Sequence, residues 1–368
     1  MTAVFCSPLR YTQGPNVTRR IWSEMEILGL GGPALIVTSP QPRRLLEATW
    51  QTAFNEAHMG FQVHLFAGEC TDAEVNAIAS AVRAAGSATI IGAGGGKTLD
   101  AARAAAADLQ LPFVACPTIA STDAPCSAVA IIYDASGVFV RARILPRNPA
   151  LVLVDTQIIA QAPVRTLIAG MGDALSTMFE AKACVRSGAL NVRGGSCTLA
   201  AMAMAELCYR TLLADGAQAL ADARANRVTP ALERIIEANT LLSGLGFESA
   251  GLAAAHGVHN GLTAVPGSHA FMHGEKVAFG VLTQLMLEEA DEATVDEVLQ
   301  FCQSVGLPTT LREIGCAELS GTMLAAVAAR ATTPGELIHN EPFTVTAAMV
   351  EAAILAADAR GRGFARKN

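Results

Sequence analysis

Four of the seven histidines fall within one short stretch, at His256, His259, His269 and His273. The first two are three residues apart on a predicted helix, so they share one face of it. Far upstream, Asp173 follows a Gly-Met-Gly run at the head of another predicted helix. One carboxylate and two imidazoles, with a position left open, form the donor set of catalytic zinc and similar divalent ions. Spacing alone does not select the two histidines, and a core or surface role is the alternative for each.

A glycine-rich loop over residues 92–100, GAGGGKTLD, leaves an apolar strand pattern and enters an Ala-rich helical pattern. Adjacent glycines let the backbone approach a ligand, and a helix N-terminus presents N–H groups to an anion. This chemistry suits a pyrophosphate, and Lys97 adds a point charge. Neither standard motif fits, because Ile91 stands where the P-loop needs glycine and Lys97 replaces the third Rossmann glycine. A tight turn without a ligand is the alternative.

A second loop, PTIASTDAPCS over residues 117–127, follows the next predicted strand and is dense in hydroxyl groups. Ligands of open α/β sheets bind at the carboxyl edge of the strands, where this loop begins. We therefore expect it to lie beside the glycine loop, although an ordinary polar loop would have a similar composition.

A parallel sheet is needed to position these loops, and the first 160 residues carry its pattern. Short apolar runs alternate with helical segments near 41–58, 71–85 and 97–109, which indicates right-handed βαβ units. The predicted strands are 34–38, 61–66, 88–92, 113–116 and 151–155, with a hairpin of 129–133 and 138–144.

Strand patterns cease after residue 155, and long Ala/Leu-rich helices follow. The predicted helices are 163–186, 197–214, 229–262 and 275–290. We therefore expect an α/β dinucleotide-binding domain over residues 1–160 and a helical metal-binding domain over residues 161–368.

The composition excludes several classes of protein. Of 368 residues, 51% are hydrophobic and 16% charged, which supports a large core and excludes intrinsic disorder. A net charge of −7 gives no long-range attraction to nucleic acid or to an anionic membrane. Nine cysteines without a CxxC pair predict free thiols in a reducing compartment, and the N-terminus does not resemble a signal sequence. We expect a cytoplasmic protein.

Six stretches resemble the glycerol dehydrogenases of the iron-containing (group III) alcohol dehydrogenase superfamily. They are GGGKTLD (94–100), PTIASTDAPCSA (117–128), GDA (172–174), GFES (246–249), HGVHNGLT (256–263) and HGEKVAFG (273–280). The match runs in order from about residue 5 to about residue 340, and TIASTDAPCSA is its most specific part. The resemblance implies the dehydroquinate-synthase-like architecture, with an α/β N-terminal Rossmann-like parallel-sheet domain and an all-α C-terminal domain.

The resemblance also assigns roles to individual residues. It implies a metal held by Asp173, His256 and His273, which agrees with the three protein ligands of an open catalytic site. In the implied mechanism Asp123 hydrogen-bonds a substrate hydroxyl, and His259 is a candidate proton relay with a structural role as the alternative. The implied cofactor-binding residues are Gly94, Gly95, Gly96, Lys97, Thr98, Asp100, Thr118, Ser121, Ser127, Val129 and Tyr133.

The implied activity is the reversible oxidation of glycerol and related 1,2-diols to dihydroxyacetone, with NAD and Zn²⁺ as cofactors. Iron enzymes of the superfamily carry a further histidine where this chain has Thr177, which favours zinc. These dehydrogenases carry an aspartate for the adenosine ribose where this chain has Ser39; a serine does not repel the 2′-phosphate of NADP, but NAD is still expected. Residues 340–345, NEPFTV, lack a glycine pair that the family carries.

The resemblance implies a homo-octamer acting on a small polyol, with no nucleic-acid or membrane partner. Three alternatives stay open. A dehydroquinate-synthase-like lyase would also bind NAD and a divalent metal, but it needs more basic residues than Lys182, Arg186 and Lys276 supply near the metal segments. A reductase of another small hydroxy-carbonyl substrate would use the same site, and a dinucleotide sensor would keep the fold without catalysis.

Overall fold

The computed structural model describes residues 2–365 and divides them into two compact units. The sheet unit comprises Cys6–Pro163 and Ala223–Val228, and the helical unit comprises the other described residues. Within residues 2–365 no helix is long and apolar enough to cross a membrane. All nine cysteines are free.

Eight strands belong to the sheet unit. They are β1 (Arg10–Gly14), β2 (Ala34–Thr38), β3 (Phe61–Leu65), β4 (Thr89–Gly94), β5 (Phe113–Pro117), β6 (Val129–Tyr133), β7 (Phe139–Ile144) and β8 (Leu151–Asp155). Six of them form one parallel sheet in the order β1-β8-β5-β4-β2-β3, and β6 and β7 form a separate antiparallel hairpin. Strands β2, β4, β5 and β8 are buried along their whole length, which explains their continuous apolar sequences.

The predicted strands and the hairpin are confirmed to within two residues at each end. Strand β1 was missed. It pairs in parallel with β8, from Arg10 opposite Leu151 to Gly14 opposite Asp155. Its sequence, RYTQG, has neither an apolar run nor an apolar alternation, because an edge strand contacts the core on only part of its surface.

Five helices complete the sheet unit: α1 (Ile21–Ile27), α2 (Pro40–Glu56), α3 (Asp72–Ala85), α4 (Gly96–Asp108) and α5 (Thr156–Ala160). The fully buried Trp50 and Phe54 of α2 belong to the core under the sheet. Helix α3 begins as the sequence indicates, because the Thr71 side chain accepts a hydrogen bond from the Glu74 N–H at 3.1 Å.

Nine helices form the helical unit, so the expected fold class is confirmed. They are α6 (Val164–Ser187), α7 (Leu199–Arg224), α8 (Pro230–Glu237), α9 (Ser243–Ala250), α10 (Ala254–Leu262), α11 (His273–Leu287), α12 (Glu292–Val305), α13 (Gly321–Ala331) and α14 (Ala347–Ala365).

The prediction of one helix over residues 229–262 was wrong. A π-helical turn, Ala238–Leu242, joins α8 to α9, and the helix then stops at Gly251. Gly251 has φ +112°, a conformation that side chains rarely adopt, and a Cβ there would lie 2.7 Å from the Cys184 sulfur. The break allows α10 to start afresh and carry His256 on a short separate helix.

Glycines let α6, α10 and α11 touch through their backbones. A Cβ at Gly172 of α6 would lie 2.3 Å from the Gly274 carbonyl oxygen of α11. A Cβ at Gly274 would lie 1.8 Å from the Ala169 oxygen, and one at Gly280 would lie 2.3 Å from the Ala255 oxygen of α10. No larger residue fits these positions without separating the helices.

We predict that Gly274→Ala lowers the free energy of unfolding by about 3 kcal/mol, because the new methyl group would overlap the α6 backbone. Gly363→Ala is the matched control: the space around it in α14 is open, and the change is expected to be neutral or to stabilise by up to about 1 kcal/mol. Chemical denaturation of the two variants checks this. Equal stability of both variants would contradict the packing described for α6 and α11.

Candidate active site

Asp173, His256 and His273 lie close together in the helical unit. One ligand atom from each, a carboxylate oxygen and two imidazole nitrogens, lies within 4.8 Å of the other two. Asp173 Oδ1 is 3.1 Å from Nε2 of His273 and 3.5 Å from Nε2 of His256. Asp173 is fully buried, whereas 37% of the His273 side chain is exposed, so the cluster is open on the His273 side.

Three helices supply these side chains. Asp173 lies well inside α6, not at the head of a helix as the sequence pattern suggested, because α6 continues without a break through Gly170 and Gly172. His256 lies in the first turn of α10, and His273 is the first residue of α11. Each of the three residues thus follows or precedes a residue at which the backbones of two of these helices touch: Gly172, Ala255 or Gly274.

Glu180 holds His256 in place. Its Oε2 is 2.7 Å from Nδ1 of His256, and its Oε1 accepts hydrogen bonds from the backbone N–H groups of Ala253 and His256. Because the carboxylate faces Nδ1, the other ring nitrogen, Nε2, faces Asp173. This is the carboxylate–histidine arrangement that orients imidazole ligands of metals.

Side chains from two further elements cap the start of α10. The Ala254 N–H donates to Glu341 Oε1 at 3.1 Å, and the Ala255 N–H donates to Gln284 Oε1 at 3.0 Å. Together with Glu180, they accept a hydrogen bond from each of four successive N–H groups, which would otherwise lack partners within the helix. The position of His256 is therefore fixed by α6, α11 and the segment around Glu341.

His259, the candidate proton relay, contacts the other imidazole ligand. Its Nε2 is 3.1 Å from Nδ1 of His273, and its Nδ1 is 3.2 Å from Oδ1 of Asn260. Burial and then the charges of His273 and Lys276 hold the pKa of His259 well below its ordinary value, so this ring is neutral. His269, the fourth histidine of the stretch, is exposed and hydrogen-bonds the Thr263 carbonyl instead.

The electrostatics of the cluster favour a cation. Burial alone would raise the pKa of Asp173, but His273 and hydrogen bonds to both imidazoles outweigh it and hold the pKa below its ordinary range. Burial opposes a charge on His256 as well, yet Glu180 and Asp173 raise the pKa of His256 well above its ordinary value. Asp173 and Glu180 thus attract positive charge to the cluster. Protons supply this charge when no metal ion is bound.

The donor set fits a divalent transition metal. One carboxylate and two imidazoles with an open side match a catalytic zinc site and do not match the all-oxygen sites of magnesium or calcium. Thr177, one helical turn after Asp173, offers no fourth ligand because its hydroxyl hydrogen-bonds Ser243 at 2.8 Å and is fully buried.

The glycine loop lies in the sheet unit. Gly94 ends β4, and Gly95 precedes the first residue of α4, Gly96. A Cβ on Gly94 would lie 2.8 Å from Cβ of Thr98, so the packing requires this glycine, whereas one on Gly95 would meet only the movable end of the Ile119 side chain. Among the described residues no side chain caps α4, and its first N–H groups therefore suit an anion.

Several predicted cofactor residues lie around this loop. The Thr118 N–H donates to the Gly94 carbonyl at 3.1 Å, which joins the two loops. Lys97 is 2.6 Å from the Glu69 carboxylate and 5.0 Å from the centre of the Tyr133 ring. Ser121 is buried, and Asp123 is half-buried just before the turn Ala124–Cys126. Ser39 precedes α2 at the end of β2.

The side chains of Asp100 and Ser127 brace the second loop. Arg103 of α4 donates to the Ser127 hydroxyl and to the carbonyl oxygens of residues 124, 127 and 129, at 2.7–3.0 Å. Asp100 accepts the Ile131 N–H at 3.0 Å, and burial raises the pKa of Asp100 to about 6 although Arg103 opposes the shift. Helix α4 therefore fixes the start of β6, which carries Val129.

The sequence analysis missed Glu180, Arg103 and Glu341. The first two had a signal, since Glu180 lies two helical turns after Asp173 on one face of α6 and Arg103 is a charged residue between runs of alanine. Glu341 had none beyond the altered 340–345 stretch, because its hydrogen bond to α10 spans 87 residues of chain.

Comparisons with known proteins agree with this architecture. Residues 8–156 match the family described as iron-containing alcohol dehydrogenase. The chain is 48% identical over 364 residues to a glycerol dehydrogenase of Escherichia coli O6:H1, covering 99% of both chains. It is 45% identical over 362 residues to a glycolaldehyde reductase of Halobacterium salinarum, covering 98% of this chain and 99% of the relative.

A solved structure is also similar to this chain over nearly its full length. The crystal structure of glycerol dehydrogenase from Schizosaccharomyces pombe superposes with a TM-score of 0.94 at 34% identity, covering 99% of this chain and 92% of that chain. The protein is therefore an enzyme, an oxidoreductase of the alcohol dehydrogenase class. It belongs to the iron-containing alcohol dehydrogenase family, which confirms the resemblance noted in the motifs.

Glu341 provides a prediction about pH. Burial and then the neighbouring Glu288 raise the pKa of Glu341 from 4.5 to about 9. Folding then requires proton uptake between these two values, so the stability that the protonated acid contributes is lost as pH rises through this window. Glu341→Gln should be more stable than the parent at pH 8 by over about 1 kcal/mol, and the two should converge near pH 4.5.

Denaturant titrations at several pH values measure this difference. Glu318→Gln, at an exposed position of the same unit, is the control and should follow the parent at every pH. A constant difference between Glu341→Gln and the parent from pH 4.5 to pH 8 would show that Glu341 is not protonated in the folded protein.

Proposed function

We propose that this enzyme catalyses the NAD-dependent, reversible oxidation of glycerol and related 1,2-diols to dihydroxyacetone and corresponding hydroxy ketones, with zinc at the active site. The observation that carries the proposal is the buried Asp173 facing two imidazoles with one open side. Full-length similarity to glycerol dehydrogenases supports glycerol as the substrate class.

Asp173, His256 and His273 would hold the metal ion. A divalent ion there acts as a Lewis acid, lowering the pKa of an alcohol and stabilising negative charge on its oxygen. The chain contributes the anionic Asp173, which attracts the cation, and the buried surroundings of α6 and α10, which exclude water from two of the three ligands. Zinc is favoured over iron because Thr177 leaves only three protein ligands.

The glycine loop of the sheet unit would hold the dinucleotide, whose nicotinamide accepts the hydride. The N–H groups at the start of α4 would bind the pyrophosphate, and Gly95 allows the close approach that this contact needs. Lys97, Thr98, Thr118, Ser121, Val129 and Tyr133 are proposed to line the same site. Asp100 and Ser127 are proposed to act in cofactor binding by fixing β6 and the end of the second loop, since their side chains hydrogen-bond there.

Asp123 is proposed to accept a hydrogen bond from a substrate hydroxyl and so orient the diol. A vicinal diol presents two hydroxyl groups, whereas ethanol presents only one. This distinction is the reason for preferring polyols to simple alcohols.

The reduction of a small hydroxy aldehyde is the second candidate function. The glycolaldehyde reductase of Halobacterium salinarum is 45% identical to this chain over nearly its full length. The same residues would serve both directions, because the reverse of diol oxidation is reduction of a hydroxy-carbonyl compound. These relatives are named as a dehydrogenase and a reductase, which favours a redox reaction, in either direction, over the lyase reaction.

Location and assembly stay predictions. Nine free cysteines support a reducing compartment such as the cytoplasm. A homo-octamer is expected from the family resemblance alone.

The test uses chelator-stripped protein with and without added Zn²⁺, and it follows NADH formation by absorbance at 340 nm. We predict zinc-dependent reduction of NAD⁺ with glycerol and with 1,2-propanediol, and little reduction with ethanol. Asp173→Asn should lower turnover by at least about 100-fold, because it removes the anionic ligand. His269→Ala, outside the ligand cluster, is the control and should retain activity. A parallel assay with NADP⁺ shows how far Ser39 relaxes cofactor choice.

Turnover that is equal with and without bound zinc would contradict the metal's role. Bound zinc and NAD⁺ with no oxidation of any diol, but reduction of glycolaldehyde by NADH, would move the assignment to the second function.

A further inference from the structure

We propose that His259 is a positioning residue, which together with Asn260, Glu336 and Arg330 orients the ring of His273 for metal binding. The inference rests on the metal site of the proposed function. It gives His259 a role different from that of a proton relay, because the buried ring contacts the imidazole of His273.

The chain of hydrogen bonds begins at an ion pair. Arg330 pairs with Oε1 of Glu336, and the other oxygen of this carboxylate lies 3.0 Å from Nδ2 of Asn260. A carboxylate only accepts hydrogen bonds, so the amide nitrogen of Asn260 must face it. This contact fixes the orientation of the amide and turns its oxygen toward His259.

The next two contacts follow from that orientation. Oδ1 of Asn260 accepts from Nδ1 of His259 at 3.2 Å, so Nδ1 carries a hydrogen. If Nε2 of His273 binds a metal, the hydrogen of that ring is on Nδ1, 3.1 Å from Nε2 of His259, which then accepts it. His273 then donates from Nδ1, and its Nε2, 3.1 Å from Asp173 Oδ1, is the nitrogen left to bind the metal.

The two imidazole ligands are thus oriented by different means. Glu180 contacts His256 directly in a buried setting, where packing also restricts the ring. His273 is half-exposed, so less packing restricts it, and its ring meets the ring of His259 edge to face, with 4.3 Å between the ring centres. A hydrogen bond to Nδ1 is what remains to keep its Nε2 directed at the metal position. Loss of such an outer contact costs roughly 10- to 100-fold in metal affinity.

The test measures Co²⁺ and Zn²⁺ dissociation constants of chelator-stripped protein by competition with a chromogenic chelator. His259→Leu removes the acceptor and should weaken binding by about 10- to 100-fold. His259→Gln places an amide oxygen near the former Nε2 position and should bind within about threefold of the parent. His269→Leu, a histidine outside the chain of contacts, should bind as the parent does. NAD⁺ affinity should be the same in all four proteins.

Asn260→Leu provides a second variant, which cuts the chain one step away and leaves both rings in place. It should weaken metal binding less than His259→Leu and leave the thermal midpoint of the metal-free protein within a few degrees of the parent. If His259→Leu does not fold, this variant decides.

The outcomes separate the two claims. Parent-like metal binding by folded His259→Leu, or by Asn260→Leu if the first variant fails to fold, overturns the positioning role alone. Equal losses in His259→Leu and His259→Gln also overturn it, because the acceptor would then be irrelevant. No Co²⁺ or Zn²⁺ binding by the parent overturns the metal site of the proposed function, and this inference falls with it.

Discussion

Backbone contact between helices at glycine determines the geometry of the candidate metal site. Helix α11 touches α6 at Gly274 and α10 at Gly280, and a methyl group at either glycine would overlap a carbonyl oxygen of the neighbouring helix. Helices that pack through larger side chains have axes about 8–10 Å apart. At that separation the short side chains on facing helices would lie further from each other. The close contact places Asp173, which follows Gly172, and His273, which precedes Gly274, within 3.1 Å of each other.

Close packing also buries several carboxyl groups around the candidate metal site. Asp173, Glu180 and Glu341 are buried, and such a concentration of acids is costly without compensating charge or hydrogen bonds. Three N–H groups at the start of α10 stabilise part of it, and Glu341 stays protonated. The charge that remains near Asp173 is available to a cation. The buried surroundings raise the free energy of the ionised acids, and for the same reason they favour a positive charge at the metal position.

The sheet and the clustering of Asp173, His256 and His273 were expected from the sequence for different reasons. Buried parallel strands are continuous apolar runs, so β2, β4, β5 and β8 were visible from composition, whereas the edge strand β1 was not. The ligands were selected by family resemblance, since spacing left several histidine pairs open. The break at Gly251 was invisible because one glycine in an apolar helical pattern does not reveal its φ angle. Glu341 was beyond prediction because its role depends on a contact 87 residues away.

The central claim is that packing at these glycines assembles a three-ligand metal site from Asp173, His256 and His273. Zinc K-edge X-ray absorption on stripped and reloaded protein tests it most directly. The account predicts one zinc per chain with a nitrogen and oxygen shell at about 2.0–2.1 Å that includes two imidazoles. A sulfur shell at about 2.3 Å, which would place the ion on some of the nine cysteines, or fewer than two imidazoles would contradict it.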